Sequence, residues 1–415
     1  MLQLWLFANT LLWQFNIELF GLKLGLNVAL LAIVGAVWIW KRQGISSYSV
    51  KVLFAFAALL LFYYLVAIAG PCTDLFQKAI FSGPILLFLT LVGVEAGWRA
   101  TESDWIKLQS VAVWILLLAF LGFAVEILVP DAFPSTAIYR DEGKFSGIYS
   151  EPSFVAYSLF PCVLMLLEAQ SKQLRLIGVL ALCGLLLLSR SSTLIALIAA
   201  WILYRIIKQR NLVNSIYIAL GGTLIIGLAA ILNYDLLVEP TLVRITGIVG
   251  AEGTKNLSSL AYLQGLQDAW DNLLRTNGFG VGINMMGCNP LPDVPAREAI
   301  AKVFGVQINS EDGTTVFSKL ISETGVFGLL FFVTLVWWWI KTEKITLGSG
   351  YDLQNQASSV QLTLVLSFVA TSLIRSPGYF SGSFFLLVVA VAAIVKWKKN
   401  RLIRLSTGQN VQEHS

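Results

Sequence analysis

What most constrains this chain is the length of its apolar runs. VAVWILLLAFLGFAVEILV at 111–129 carries a single charge, and comparable runs recur from end to end, separated by short charged joints. A hydrocarbon core about 30 Å thick needs roughly 20 apolar residues per helical crossing, so each run has membrane-spanning length. Composition agrees: 57% of the 415 residues are hydrophobic and 13% charged, against roughly 25% charged in soluble domains. A mean hydropathy of +0.75 also argues against a β-barrel, whose alternating lipid and lumen faces keep the average low. The expected fold class is an all-α integral membrane protein; disordered, collagen-like and nucleic-acid-binding classes are excluded with it.

The runs predict about twelve spans, near 2–20, 24–40, 50–69, 79–98, 105–129, 152–169, 174–189, 192–207, 213–233, 315–340, 357–374 and 380–396. The first is read as doubling as the insertion signal of a mature N-terminus. An even number of crossings puts both termini on one side, and seventeen of the 29 Lys and Arg residues then fall in that side's connections. The positive-inside rule makes that side cytoplasmic. The net charge of +5 is therefore a matter of orientation and anionic lipid, with no nucleic-acid partner implied. Organisation follows: helices over 1–233, interrupted by an outer loop at 130–151; a large outer loop at 234–314; further spans over 315–396; and a cytoplasmic tail at 397–415. Loops of that size in a compact bundle are usually functional. In the large one, SLAYLQGLQDAWDNLL at 259–274 spaces its leucines for an amphipathic helix across the bundle's mouth. No internal repeat is visible, nor a matched pair of broken helices of the kind transporters carry.

Several chemistries drop out. The one histidine, His414, lies beyond the last apolar run, so no imidazole serves as base or ligand inside the bundle. The four cysteines show no C-x-x-C spacing; Cys162 and Cys183 sit within apolar runs, while Cys72 and Cys288 fall in outer connections, where a pairing is open but not the expectation. Asp-x-Asp does not occur, and the adjacent carboxylates Asp141-Glu142 and Glu311-Asp312 are expected to be solvated, so neither a metal nor a cofactor is predicted. GFGVG at 278–282 lacks the strand-to-helix context of a nucleotide loop.

The strongest local signal is Ser150-Glu151-Pro152-Ser153, between a polar outer loop and an apolar run. Pro152 suits a first helical turn and Ser150 its cap. A carboxylate there either offsets the helix dipole or serves a site, since an ionisable group at a membrane rim is costly without a partner. With histidine absent, Glu151 is the first candidate general base. Arg140, Arg190, Arg244 and Arg375 all fall on the outer side close to span ends. Singly each reads as an interfacial snorkelling residue; together their guanidinium forks suit phosphate oxygens. Lys144 and Lys255, in longer stretches, are weaker candidates.

These residues, in this order, resemble the Wzy-type polymerases of bacterial O-antigen and exopolysaccharide assembly, within the group that also holds the O-antigen ligases. The likeness rests on R-x-x-G-K-F-S-G-I-Y-S-E-P-S-F-V-A at 140–156, S-R-S-S-T at 189–193, R-I-T-G-I-V-G-A-E-G ahead of S-S-L-A-Y within 244–262, and G-F-G-V-G followed by S-E-T-G-V-F-G-L-L ending at Leu330. It implies a glycosyltransferase-C-like bundle in the bacterial inner membrane with its active site facing the periplasm. The implied reaction is metal-independent and inverting: a glycan on undecaprenyl pyrophosphate passes to a hydroxyl of a new lipid-linked repeat unit, releasing undecaprenyl pyrophosphate. In that reading Arg140, Arg244 and Arg375 contact pyrophosphate or glycan, Arg244 supports catalysis, and Glu151 is the carboxylate. Relatives often place an arginine where Tyr262 stands here, which shifts weight to Arg244 and Arg190. Ligases rely on an outer-loop histidine that this chain lacks. A lipid-glycan flippase is the alternative of another class, and it would need charges deep within several spans. A chain-length regulator and a flippase of the same pathway are partners implied by the resemblance.

Overall fold

The computed structural model describes residues 1–13, 15–19, 22–42, 44–70, 75–129, 132, 144–208, 257–305, 311, 313–346, 353–376, 378–380 and 382–406. They are overwhelmingly helical: α1 (Leu2–Phe7), α2 (Leu26–Lys41), α3 (Ser47–Ala69), α4 (Phe76–Arg99), α5 (Glu102–Leu128), α6 (Pro152–Leu167), α7 (Lys172–Ser189), α8 (Ser192–Lys208), α9 (Leu257–Arg275), α10 (Pro295–Phe304), α11 (Val316–Thr346), α12 (Leu353–Ile374) and α13 (Gly382–Ser406). Among the described residues six helices are long and apolar enough to cross a bilayer, namely α3, α4, α5, α7, α11 and α12. That is the composition of a multi-pass membrane protein. The expected span at 213–233 lies outside the described residues.

The region expected to form a first span over 2–20 is built differently. α1 widens into a π-helical turn at Ala8–Leu12, and the chain then forms an antiparallel hairpin, β1 (Asn16–Leu19) with β2 (Leu22–Gly25), in the register Asn16↔Gly25. Eleven helical residues reach about 16 Å, half a bilayer. Asn9 and Thr10 explain the local change, because their side chains bond the carbonyls of Trp5 and Leu6, a competition that loosens regular helix.

Helix boundaries follow local chemistry elsewhere. The Ser46 hydroxyl accepts from Ser49 N at the start of α3. A reciprocal Thr101–Asp104 capping box opens α5. Polar contacts then sort the helix ends into two groups. At one, Glu95 pairs with Arg99, Arg205 with Glu168 at 2.9 Å, and Lys398 Nζ donates to Thr342 Oγ1 at 2.7 Å. At the other, the loop at 144–151 meets the ends of α7 and α12. Arg99, Arg205 and Lys398 thus mark the first of these ends as the basic one.

α6 is the hub. Apart from its first residues it is buried on every side, from Val155 to Leu166 without interruption, packed among α5, α7, α8 and α12. A helix apolar all round belongs in such a place. Its N-terminus carries Glu151 to the end opposite the basic connections.

Candidate functional site

Glu151 itself, in place of the expected Ser150, holds the N-cap position of α6, with Pro152 in the first turn as predicted. Its carboxylate makes no cap hydrogen bond. It accepts instead from the Ser153 hydroxyl and from Arg375 Nη2 at 3.1 Å. The side chain is therefore aimed away from the helix axis, toward the α12–α13 loop.

The segment at 144–151 that leads into Glu151 depends on a buried anchor. Glu126 on α5 is fully enclosed, and its Oε2 accepts from Ser146 N at 2.9 Å and Gly147 N at 2.6 Å. Gly147 sits at φ +59, where its missing side chain lets the turn press on the backbone of Gly122 and Phe123. Phe145 N bonds Leu188 O at 3.0 Å, and the Tyr149 hydroxyl donates to Thr10 O at 2.9 Å. Burial pushes the Tyr149 hydroxyl pKa well up, so it stays a donor. Three elements thereby fix the segment that ends in Glu151.

Of the residues singled out from the sequence, the structure brings three together. Tyr262 on α9 donates its hydroxyl to Leu373 O at 3.1 Å, two residues before Arg375, which holds Glu151. Burial raises the Tyr262 pKa and keeps the proton in place. Arg190 is engaged elsewhere: it ends α7 in the left-handed conformation, and its Nε turns back to Leu187 O at 3.2 Å. Arg140 and Arg244 lie outside the described residues, as do Asp141, Glu142 and Lys255.

The α12–α13 loop carries a second polar group on its other side. Ser376 N bonds Thr314 O at 3.3 Å, and Lys319 lies under the Tyr379 ring, 5.7 Å from its centroid. Lys319 also donates to Glu311 O at 2.7 Å and sits 3.7 Å from Glu323. Glu323, fully buried, accepts from Asn284 N at 2.7 Å and Met286 N at 3.1 Å. Sequence reasoning gave Lys319 and Glu323 no role. Their i,i+4 spacing in an otherwise apolar run was the available signal.

Gly325 makes this possible. At φ 60, ψ −138 it interrupts α11, and the freed carbonyls of Ser322 and Glu323 receive Val281 N and Gly282 N at 3.0 and 2.9 Å. The glycine-rich GFGVG segment is thus a backbone splint on a broken helix. Beside it runs an apolar furrow of about 510 Å³, walled by α3, α4, α11 and α13 from Tyr48 to Tyr379. Tyr48 to Tyr63 along α3 alone covers about 22 Å.

α9 forms as expected over the predicted amphipathic stretch. Gln264, Asp268 and Asn272 face inward, while Trp270 and Leu274 are more than half exposed. The inward surface is polar because its partners are: Asn272 Nδ2 bonds Ser322 Oγ at 2.5 Å, and Asp268 meets Arg297 of α10 at 2.7 Å. Burial raises the Asp268 pKa against the opposing pull of Arg297. Leucines and Trp270 left outside suit an interfacial helix. Cys288, in the loop after α9, is disulfide-bonded, a pairing the sequence left open without expecting it; Cys162 and Cys183 are free.

Among the described residues no three His, Cys, Asp or Glu side chains converge as a metal site. No family model, no curated protein and no solved structure matches the chain.

Proposed function

We propose that this protein is a glycosyltransferase that polymerises polyprenyl-pyrophosphate-linked oligosaccharides at the outer face of the bacterial inner membrane, as the resemblance to Wzy-type polymerases implies. The observation that carries the reading is the Arg375–Glu151 pair, held at the non-basic end of the bundle; the α12–α13 loop that carries Arg375 also gives Tyr379 to the furrow wall. Arg375 supplies a fork for phosphate oxygens. A pyrophosphate arriving there competes with Glu151 for the guanidinium and releases the carboxylate. The freed Glu151 takes the proton of the acceptor sugar's hydroxyl as that oxygen attacks the anomeric carbon from the face opposite the departing pyrophosphate. Arg375 then offsets the charge that develops on the leaving group. The furrow matches the hydrocarbon part of such a donor, and Tyr262 ties α9 to the end of α12 at Leu373, two residues before Arg375. The disulfide at Cys288 fits an oxidising compartment on that side.

A second reading, a lipid-glycan flippase, is favoured by one feature, the broken helix α11 with Lys319 and Glu323 buried beside the break. The test is to incubate purified protein in detergent containing EDTA with a lipid-pyrophosphate-linked repeat unit and to separate the glycans by gel. The polymerase reading requires a ladder of increasing length and released polyprenyl pyrophosphate. Absence of a ladder from folded protein and authentic substrate moves the assignment to the ligase, tested by adding lipid A core, or to the flippase.

A further inference from the structure

At the basic end, where α4 turns into α5, a cleft of about 480 Å³ opens between that turn and the ends of α12 and α13. Its polar lining includes Thr101, Glu102, Gln361, Lys396 and Asn400. One group in it is unexplained by the fold: Gln361 is 6% exposed, yet its Oε1 has no hydrogen-bond partner. A buried acceptor left so is costly, and because the atom itself is closed to solvent, a donor entering the cleft meets it once the amide turns toward the opening. Lys396 stands opposite in chemistry. Its Nζ touches only the Ala100 carbonyl, at 3.3 Å, and no carboxylate among the described residues pairs with it. The cleft therefore offers a cation, the Glu102 carboxylate and an unmet buried acceptor.

Its level in the membrane narrows the ligand. α4 ends at Arg99 and α5 begins at Glu102, so the cleft lies where two spans turn, at the depth of lipid head groups. The surroundings are of interfacial character: Lys399 lies over Trp98 at 5.8 Å, and Lys398 over Trp338 at 4.8 Å. We propose that the cleft binds the head group of phosphatidylethanolamine. The phosphate meets Lys396, and the primary ammonium donates to Gln361 Oε1 while facing Glu102. Phosphatidylcholine has the same charges but no N–H to give. Phosphatidylglycerol has hydroxyl donors but no cation for Glu102. This site is independent of the glycan reading.

The experiment is native mass spectrometry of the delipidated full-length protein titrated in parallel with phosphatidylethanolamine, phosphatidylcholine and phosphatidylglycerol of identical acyl chains. Ethanolamine lipid is expected to bind about tenfold more tightly than choline lipid, the size of one hydrogen bond to a charged donor. Gln361→Leu is expected to erase that preference and Lys396→Gln to weaken ethanolamine and choline lipid alike, whereas Lys398→Gln, outside the cleft, changes neither. Equal retention of ethanolamine and choline lipid by the wild-type chain overturns the proposal without recourse to any variant. So does a preference for phosphatidylglycerol, an undiminished preference in Gln361→Leu, or unweakened binding in Lys396→Gln.

Discussion

Arg375 and Glu151 are separated by 224 residues and joined by a 3.1 Å bond from Nη2 to Oε1. One ends the last apolar run but one, the other begins the most buried helix of the bundle, and neither has reason to meet the other unless α6 and α12 pack side by side. Removing either partner is expected to stop chain extension in the ladder assay. Arg375→Ala should lower the rate by about 10²–10³, the scale of a lost charge-stabilising donor, and Glu151→Gln by about 10²–10⁴, the scale of a lost base. Arg375→Lys should not restore the rate, because an ammonium lacks the fork. Normal ladders from Glu151→Gln at wild-type protein levels reduce this residue to a helix start.

Glu126 supports the same loop from below. Two backbone N–H groups depend on one of its oxygens, and the other oxygen has no partner. Glu126→Leu leaves both donors buried and unmet, and a loss of about 2–4 kcal/mol of stability is expected from about 1–2 per group. Glu126→Gln keeps an acceptor in the same place and should lose much less. Thermal unfolding in detergent distinguishes the two; equal losses would mean that the bonds to Ser146 and Gly147 do not anchor the loop.

Gly325 allows no side chain. At its φ and ψ a Cβ would fall on the Gly278 carbonyl, so Gly325→Ala should abolish the monodisperse protein peak in size-exclusion chromatography. Gly44, with open space around its α-carbon, is the control, and Gly44→Ala should elute as the wild type does.

Asp268 and Arg297 tie α9 to α10 in a buried pair. Either single change to alanine should cost roughly 3 kcal/mol by stranding the remaining charge, while Asp268→Leu with Arg297→Met should be nearly neutral. A double variant as unstable as the singles would show that the pair is worth more than its volume in hydrocarbon.

The sequence revealed the membrane class, the α6 start at Pro152 and the helix over 257–275, because run length, a proline in a first turn and helical spacing are local properties. It also placed Glu151 and Arg375 among the candidates on chemistry alone, and Tyr262 by the family resemblance. What it missed is relational. Helical spacing announced an amphipathic α9 but not which of its residues turn inward: Gln264, Asp268 and Asn272 are buried because the surface beneath is polar, while Trp270 and Leu274 stay outside. Arg190 looked equal to Arg375, and only the turn of its side chain back to Leu187 separates them. Lys319 gained meaning through Tyr379 and Glu323, which meet it by way of a break that no periodicity announces.

α6 has sixteen residues and so rises about 24 Å, some 6 Å less than the hydrocarbon it stands in. If its inner end keeps level with its neighbours, Glu151 is recessed below the outer lipid surface, and lipid cannot thin to meet it because protein surrounds the helix. Water must then come down to the carboxylate. The donor's charged end would be drawn beneath the plane where membrane-anchored pyrophosphates ordinarily rest, and the acceptor sugar would have to reach down after it, so the depth of this well sets how much of a glycan can approach the reacting bond.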